Sequence, residues 1–554
     1  MKKKFFIITC IIVLSIIQIY LVSVQPINKL VDNAYDDALM IEQADSILKG
    51  KWLGEYNCLT LIKGPVTPLF MAVANVLNIP FLIAQDIFYI IACVLLISIL
   101  GKLIKNDIVK VIIFGLLIFN PIIFSTELCR TYRDGIYTAL IIYMITFTFG
   151  IYFNRKEKIS KIIWYYIGLG FALGLIYLCR EETIWILPYL VVSIVITIIS
   201  IIKEKEIENK IKRILLYVIP ILIVSLMTIL VMIMNYKYYG VFQLNQYWGK
   251  EFKEAYGAFT RIIPEQKIKK VPVTSDMLEK AYKISPKCKE LKEYFDKETV
   301  NWAKCGDGSL KEIQGGYFHW ALIRAVESKG YYKDAKTANK FYQELADEIN
   351  KACDEGKVNC LKNKRVSNVN RFGIEDLGKA LLKCKDVIKY QYKMILVKVK
   401  VPINTLNVEE NDEKINKLEE VTLTKNDDRN ELYNGKNDEI RINILEQINK
   451  IYSKINPFIF YESIIVCIGF IIITIVEKRK RTEEIIMLIG LVGIYLCRIF
   501  IISFTSSTMY TSAINVMYLA PTYVIQMIFS ILSNVFLGKE IVIYINERKN
   551  KWKQ

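Results

Sequence analysis

Histidine is all but missing: His319 stands alone in 554 residues. The twelve cysteines contain no Cys-x-x-Cys pair. A Cys/His zinc site is therefore not expected. Cys10, Cys93 and Cys467 fall inside apolar runs and read as small packing residues. Cys288, Cys305, Cys353, Cys360 and Cys384 fall in a long polar stretch, where an odd count leaves at least one unpaired. Cys353 with Cys360 is the easiest short loop to close. No small-x-small cleavage site follows the first apolar run, Phe5–Val24, although Lys2 to Lys4 precede it in the manner of a signal peptide. It reads as an uncleaved first helix with its amino end in the cytoplasm. Acidic residues are outnumbered by basic ones, 55 to 73, for a net charge of +18. In a soluble protein that excess would suggest nucleic acid. Here the Lys and Arg cluster beside apolar runs, which is the orientation signal of membrane insertion, so no nucleic acid is expected as a partner.

Apolar runs are what the chain has in quantity. Hydrophobic residues make up 53% of it, and the mean hydropathy is +0.29. No soluble core needs so many apolar stretches of about twenty residues. The runs after the first are Phe81–Leu100, Val109–Thr126, Gly135–Phe153, one ending at Cys179, one ending near Ile202, Ile214–Asn235, Pro457–Val476, Ile485–Ser503 and Val516–Leu537. The fold class read from these is an α-helical polytopic membrane protein of about ten transmembrane helices. The basic linkers at Lys102–Lys110, Arg155–Lys161, Lys203–Arg213 and Lys478–Arg481 all fall on one side, the cytoplasmic one, with both termini. Residues 236–456 have no spanning run and form one large, mainly helical extracytoplasmic insertion. Within it Glu290–Trp302 and Tyr332–Cys353 read as amphipathic helices and Val397–Val401 as a strand. Asn407–Asp438, rich in Glu, Asn, Asp and Lys, reads as a mobile loop. The division expected is 1–235, 236–456 and 457–554.

Between the first two runs lies the stretch from Asp32 to Pro68. It holds the acidic pair Asp36 and Asp37. Met40, Ile41, Ala44, Ile47 and Leu48 then recur at helical spacing, Gly50 closes that helix, and Trp52 suits a membrane–water boundary. Lys63-Gly64-Pro65 precedes the next apolar residues. This stretch resembles the first extracytoplasmic loop of the GT-C glycosyltransferases, and in layout it is similar to the protein O-mannosyltransferases and the aminoarabinose transferases of lipid A. Those carry an Asp-Glu pair, an Ala-rich interface helix, a Gly-x-Trp-like end and a Lys-Pro-Pro. The matching residues here are Asp36-Asp37, Ala44, Gly50-Lys51-Trp52 and Lys63-Gly64-Pro65. The second acid is Asp rather than Glu, and a Gly replaces one Pro. The layout of a membrane module followed by a large outer insertion also resembles that family, over residues 1–456.

The resemblance implies a membrane enzyme that moves a sugar from a polyprenyl-phosphate donor to an extracytoplasmic cell-envelope acceptor, whether glycan, lipid or protein. It implies inversion in one step, in a bacterial plasma membrane. An acid of the first outer loop, Asp36 or Asp37, would be the general base. Lys63, Arg130, Arg133, Arg180 and Arg498 would bind the donor phosphate, because guanidinium forks pair with phosphate oxygens. Asp134, Glu181 and Glu182 would support the site. For Arg180 the alternative is an ion pair with Glu181 or Asp134 that only holds helices together. For Arg498 it is snorkelling to the surface. No cofactor or metal is expected beyond the lipid-linked sugar, although two adjacent acids could hold a divalent ion. His319, among Tyr317, Phe318 and Trp320, reads as a packing residue rather than a base. The readings from other classes are a transporter or flippase of lipid-linked saccharides, and a catalytically inactive envelope-assembly protein.

Overall fold

The structure, a computed structural model, describes residues 2–28, 36–180, 183–296, 302, 304, 312–392, 412–424, 436–510 and 513–553. The first half of the chain folds as α1 (Lys2–Val22), α2 (Asp37–Leu48), α3 (Val66–Val76), α4 (Phe81–Leu100), α5 (Asp107–Ile118), α6 (Asp134–Phe153), α7 (Ile159–Cys179), α8 (Leu187–Lys203), α9 (Lys210–Leu215) and α10 (Val218–Tyr239). The insertion contributes α11 (Lys250–Phe259), α12 (Ser275–Ile284), α13 (Pro286–Glu290), α14 (Lys292–Asp296), α15 (Phe318–Ser328), α16 (Ala335–Asp354), α17 (Ile374–Tyr392) and α18 (Asp412–Thr422). The chain ends in α19 (Lys436–Val476), α20 (Thr482–Thr508) and α21 (Val516–Lys553). Among the described residues, nine helical segments are long and apolar enough to cross a membrane. They are carried by α1, α4, α6, α7, α8, α10, α19, α20 and α21. The chain is a helical, multi-pass membrane protein.

The run expected to span at Val109–Thr126 forms only the 12-residue helix α5, which is too short to be one of the nine, so the expected ten become nine among the described residues. Helix α5 stops at Ile118, and Asn120-Pro121 explains why. Proline cannot continue the hydrogen-bond ladder and pushes the residue before it out of the helical region. The Asn120 side chain then accepts the Ile122 N–H at 3.1 Å, and buried turns carry the chain on to Arg133. Such irregular backbone is tolerated because protein surrounds it and its polar groups find partners within the fold.

Helix α6 is central, buried along nearly all its length, and packs on α4, α7, α8 and α21. Helix α10 closes on α7 through Gly170 and Gly174. A Cβ at Gly170 would meet Ile223 at 2.9 Å, and one at Gly174 would meet the Met227 sulfur at 2.5 Å. Small residues four apart permit this approach, and dispersion between close backbones supplies the attraction that lipid cannot. Helices α20 and α21 share this core rather than forming one of their own.

The basic linkers meet at one end of the bundle. Arg155 pairs with Glu204 at 2.6 Å and with Glu483 at 2.9 Å, and Lys102 pairs with Glu157 at 3.0 Å. Arg213 donates to the carbonyls of Arg155 and Glu157, while Arg479 reaches Glu540 at 3.2 Å.

The insertion has a second core, built from Phe252, Tyr256, Phe259, Phe318, Phe341 and Tyr342 with their neighbours. Cys58 and Ile62 of the first loop belong to it, so that loop is seated on the insertion. Cys353 and Cys360 are joined as a disulfide, in keeping with their short spacing. The expected helix Tyr332–Cys353 is α16. Glu290–Trp302 is instead broken into the end of α13 and α14, with 297–301 outside the described residues. Residues 393–411, which include the expected strand Val397–Val401, also lie outside them, as does Cys305.

Part of the expected mobile loop Asn407–Asp438 is ordered. Leu418 and Val421 of α18 are buried against α2 and α3, and Asn75 donates to the carbonyls of Glu420 and Val421 at 2.7 and 3.0 Å. Two apolar residues three apart suffice once a groove receives them, which composition does not reveal. Helix α19 likewise begins at Lys436, ahead of the expected re-entry, and runs on through Pro457.

Candidate functional site

The end of the bundle opposite the basic linkers holds the first loop. Helix α2 forms from Asp37, with Met40 and Ala44 wholly buried on its inner face. Gly50 closes it with φ +72°, the left-handed cap that glycine adopts without strain. Trp52 is buried rather than at a lipid boundary. Its Nε1 donates to Asn235 Oδ1 of α10 at 2.9 Å, which ties the loop to that helix. The turn over Asn57–Ile62 then delivers Lys63. Leu59 N–H is accepted by Asn57 Oδ1 at 2.8 Å, and Pro65 starts α3 directly afterwards.

Asp36 occupies the N-cap position of α2, yet its carboxylate does not cap the helix. It takes Lys63 instead. Lys63 is buried, and its Nζ also donates to the Tyr132 hydroxyl at 3.0 Å. Arg133 Nη2 donates to the same hydroxyl at 3.0 Å, and its Nη1 to the Cys179 carbonyl at 3.2 Å. Asp37 has a different partner. Arg130 grips it side-on, with Nε at 3.1 Å from Oδ1 and Nη2 on Oδ2. Arg180, just past the end of α7, pairs with Asp134 at the start of α6. That is the helix-holding pair, one of the two alternatives for Arg180. Its guanidinium lies 5.0 Å from the ring of Tyr518 and 5.5 Å from that of Tyr137. Arg498 is buried rather than snorkelling. It donates to the Tyr518 carbonyl at 2.8 and 3.2 Å and stands 5.0 Å from the Trp185 ring.

The fold thus joins Lys63, Arg130, Arg133, Arg180 and Arg498 with Asp36, Asp37 and Asp134 into one chain of contacts. Five cations and three carboxylates of the described residues meet there. Glu181 and Glu182 lie outside the described residues. Tyr132, Tyr137, Trp185 and Tyr518 are members of the cluster that the sequence reading does not contain. Tyr132 did carry a signal, standing between the arginines in Arg130-Thr-Tyr132-Arg133, but Tyr518 reaches the cluster from the far end of the chain with no local mark.

The electrostatics separate the two adjacent acids. Burial acts to raise the Asp36 carboxyl, but the Lys63 ammonium, hydrogen bonds from Lys63 and Tyr132, and the Arg130 charge outweigh it and hold Asp36 below its ordinary value. For Asp37 burial wins over the Arg130 fork and lifts the carboxyl. Burial lowers Lys63 to about 8, with Asp36 opposing and the Arg133 charge assisting. Burial also lifts the Tyr132 phenol, so it stays protonated and can donate to Asp36. No group of three His, Cys, Asp or Glu side chains converges anywhere among the described residues. His319 is packed between Tyr247 and Trp320, at 4.8 and 5.0 Å between ring centres, and burial alone pulls it down to about 3. It is a neutral packing residue.

No protein-family model and no curated protein matches the chain. Among solved structures, the chain is similar to ArnT from Cupriavidus metallidurans in the apo state, at 10% identity and a TM-score of 0.31, over 98% of this chain and 78% of that one. It is likewise similar to ArnT from Cupriavidus metallidurans bound to undecaprenyl phosphate, at 11% identity and a TM-score of 0.30, over 97% and 77%. Superposition at that level leaves the chemistry of this chain to its own residues.

Proposed function

We propose that the chain is a GT-C-type glycosyltransferase of the plasma membrane, transferring a sugar from a polyprenyl-phosphate donor to an extracytoplasmic acceptor. The observation that carries the reading is the gathering of five cations at one membrane end, around a carboxylate that stays partly open. Buried cations are costly and are retained where partners and a ligand together supply the countercharge. A phosphate on a lipid carrier, arriving from the membrane side, has that charge and suits guanidinium forks. Departure of the phosphate builds negative charge, which Lys63 and the arginines stabilise.

Asp36 is the base in this reading. Its side chain is 30% exposed, against 2% for Asp37, so an acceptor hydroxyl or amine can approach it. Lys63 and Tyr132 keep it ionised and aimed. The acceptor proton passes to Asp36 as the acceptor oxygen or nitrogen attacks the anomeric carbon and the phosphate leaves, with inversion. The site end faces outward and the end carrying Arg155 and Arg479 faces the cytoplasm. Transfer measured in membranes expressing the chain, with radiolabelled polyprenyl-phosphate sugars, tests the activity. Label that stays on the lipid with every donor and every envelope fraction supplied would sink the proposal.

A further inference from the structure

The segment between the Cys353–Cys360 bridge and α17 holds two arginines that the membrane-end cluster does not use. Gly257 lets this segment lie on α11: a Cβ there would stand 2.0 Å from the Arg365 carbonyl oxygen. Ser367 N–H donates to the Lys253 carbonyl at 3.1 Å. Asn370 accepts from the Tyr256 hydroxyl at 2.9 Å and donates to the Thr508 carbonyl, at the end of α20, at 3.1 Å. The Phe372 ring meets Phe504 edge-on at 5.0 Å. The segment is therefore pinned where the insertion meets the membrane helices.

Arg365 donates to Thr260 Oγ1 at 2.8 Å and to the Val369 carbonyl at 3.3 Å, both neutral acceptors. Arg371 has less: its Nε and Nη2 are buried and make no hydrogen bond among the described residues. Those two nitrogens form the side-on edge of a guanidinium, the edge that receives two oxygens of one oxyanion. Burial and the Arg365 charge pull Arg371 down to about 10, with no carboxylate of the described residues offsetting them. Two neighbouring cations, one with a buried fork that finds no acceptor among the described residues, suit a group with at least two anionic oxygens.

We propose that Arg371 and Arg365 form a second anion site, separate from the Asp36 cluster, that takes a phosphate group. Arg371 receives two phosphate oxygens side-on, and Arg365 supplies the second charge. The phosphate belongs to a lipid headgroup or to a soluble phosphate compound. The neighbouring helix favours the lipid source. Ile374, Leu377, Leu381 and Leu382 are exposed on α17 at positions three, seven and eight apart from the first, so one apolar face begins directly beside the fork.

The test uses the full chain purified in detergent. One arm counts bound dioleoyl phosphatidic acid by native mass spectrometry, with phosphatidylcholine as the uncharged comparison. The other titrates inorganic phosphate by calorimetry. Arg371→Lys keeps the charge and loses the fork, so it should weaken binding by about tenfold or more in whichever arm shows it. Arg371→Gln guards against misfolding of the first variant and should do the same. Lys63→Ala should leave this binding intact, which separates it from the donor site. Binding of phosphatidic acid alone assigns the lipid source, and binding of inorganic phosphate alone assigns the soluble one. No saturable binding in either arm, or equal binding by wild type and both Arg371 variants, overturns the proposal.

Discussion

Asp36 and Asp37 are neighbours in the chain with opposite surroundings. The Asp36 carboxylate meets Lys63 and Tyr132 at a partly open edge, while Asp37 is sealed in the side-on grip of Arg130. Their substitutions should therefore fail in different ways. Asp36→Asn keeps the shape and removes the base, so the chain should fold and bind donor while transfer falls by roughly a hundredfold or more. Asp37→Asn leaves the largely covered Arg130 guanidinium without its countercharge and should cost about 3 kcal/mol of stability. Thermal melting and turnover of both variants check this. A stable, inactive Asp37→Asn beside a fully active Asp36→Asn would move the base one residue along.

Donor binding should weaken in alkali. Lys63 is lowered to about 8, so it is cationic below that pH and loses its proton as pH rises through it. A phosphate bound partly by that charge is held best on the acidic side, although its own charge will lift the Lys63 value when bound. The donor dissociation constant, followed from about pH 6.5 to 9.5, should rise through this window and flatten in Lys63→Ala. A variant with unchanged affinity and an unchanged profile would remove Lys63 from the phosphate role.

Tyr132 is expected to act on the base as well as on the cations. Its hydroxyl accepts from Lys63 and Arg133 and donates to Asp36. Tyr132→Phe removes a hydrogen bond that favours the ionised carboxylate, so the Asp36 value should rise. The acid limb of the pH–rate profile should shift upward, and turnover at neutral pH should drop by about tenfold, in keeping with a hydrogen bond to a charged group. An unmoved acid limb would assign Tyr132 to packing alone.

Membrane orientation is checked by cysteine labelling in intact cells. Lys269→Cys, in the insertion, should react with an impermeant reagent, and Lys480→Cys, at the basic end, should be protected. The reverse pattern would invert the whole arrangement and place the Asp36 cluster in the cytoplasm.

The helices that cross the membrane were legible because the signal is local: an apolar run of sufficient length, with Lys or Arg beside it. The same holds for α2, whose spacing from Met40 to Leu48 describes its buried face. Where α5 ends was also written locally, in Asn120-Pro121, but a hydropathy reading passes over it. What could not be read depends on partners distant in the chain. Leu418 and Val421 look like part of a charged loop until α2 and α3 offer a groove, and Trp52 looks like a boundary residue until Asn235 meets its indole. In the candidate site, the acids, Lys63 and the arginines were visible as charged residues standing close to apolar runs. The pairing of Arg130 with Asp37 and of Lys63 with Asp36 was not, because it depends on how α2 is rotated. Tyr518 was invisible for the same reason on a larger scale.

Tyr518 also bears on how such a protein is made. Its carbonyl takes Arg498 and its ring covers Arg180, whereas Asp36 and Lys63 belong to the first segments to leave the ribosome. The cluster is thus closed last, when α20 and α21 enter the bilayer and settle against α6 and α8. A nascent chain stalled before that point holds its acids and its lysine but lacks the roof over Arg180, although the insertion is already synthesised. Completion of the final hairpin is then the step that closes the cluster, and truncations there should leave Arg180 uncovered without preventing insertion of the earlier helices.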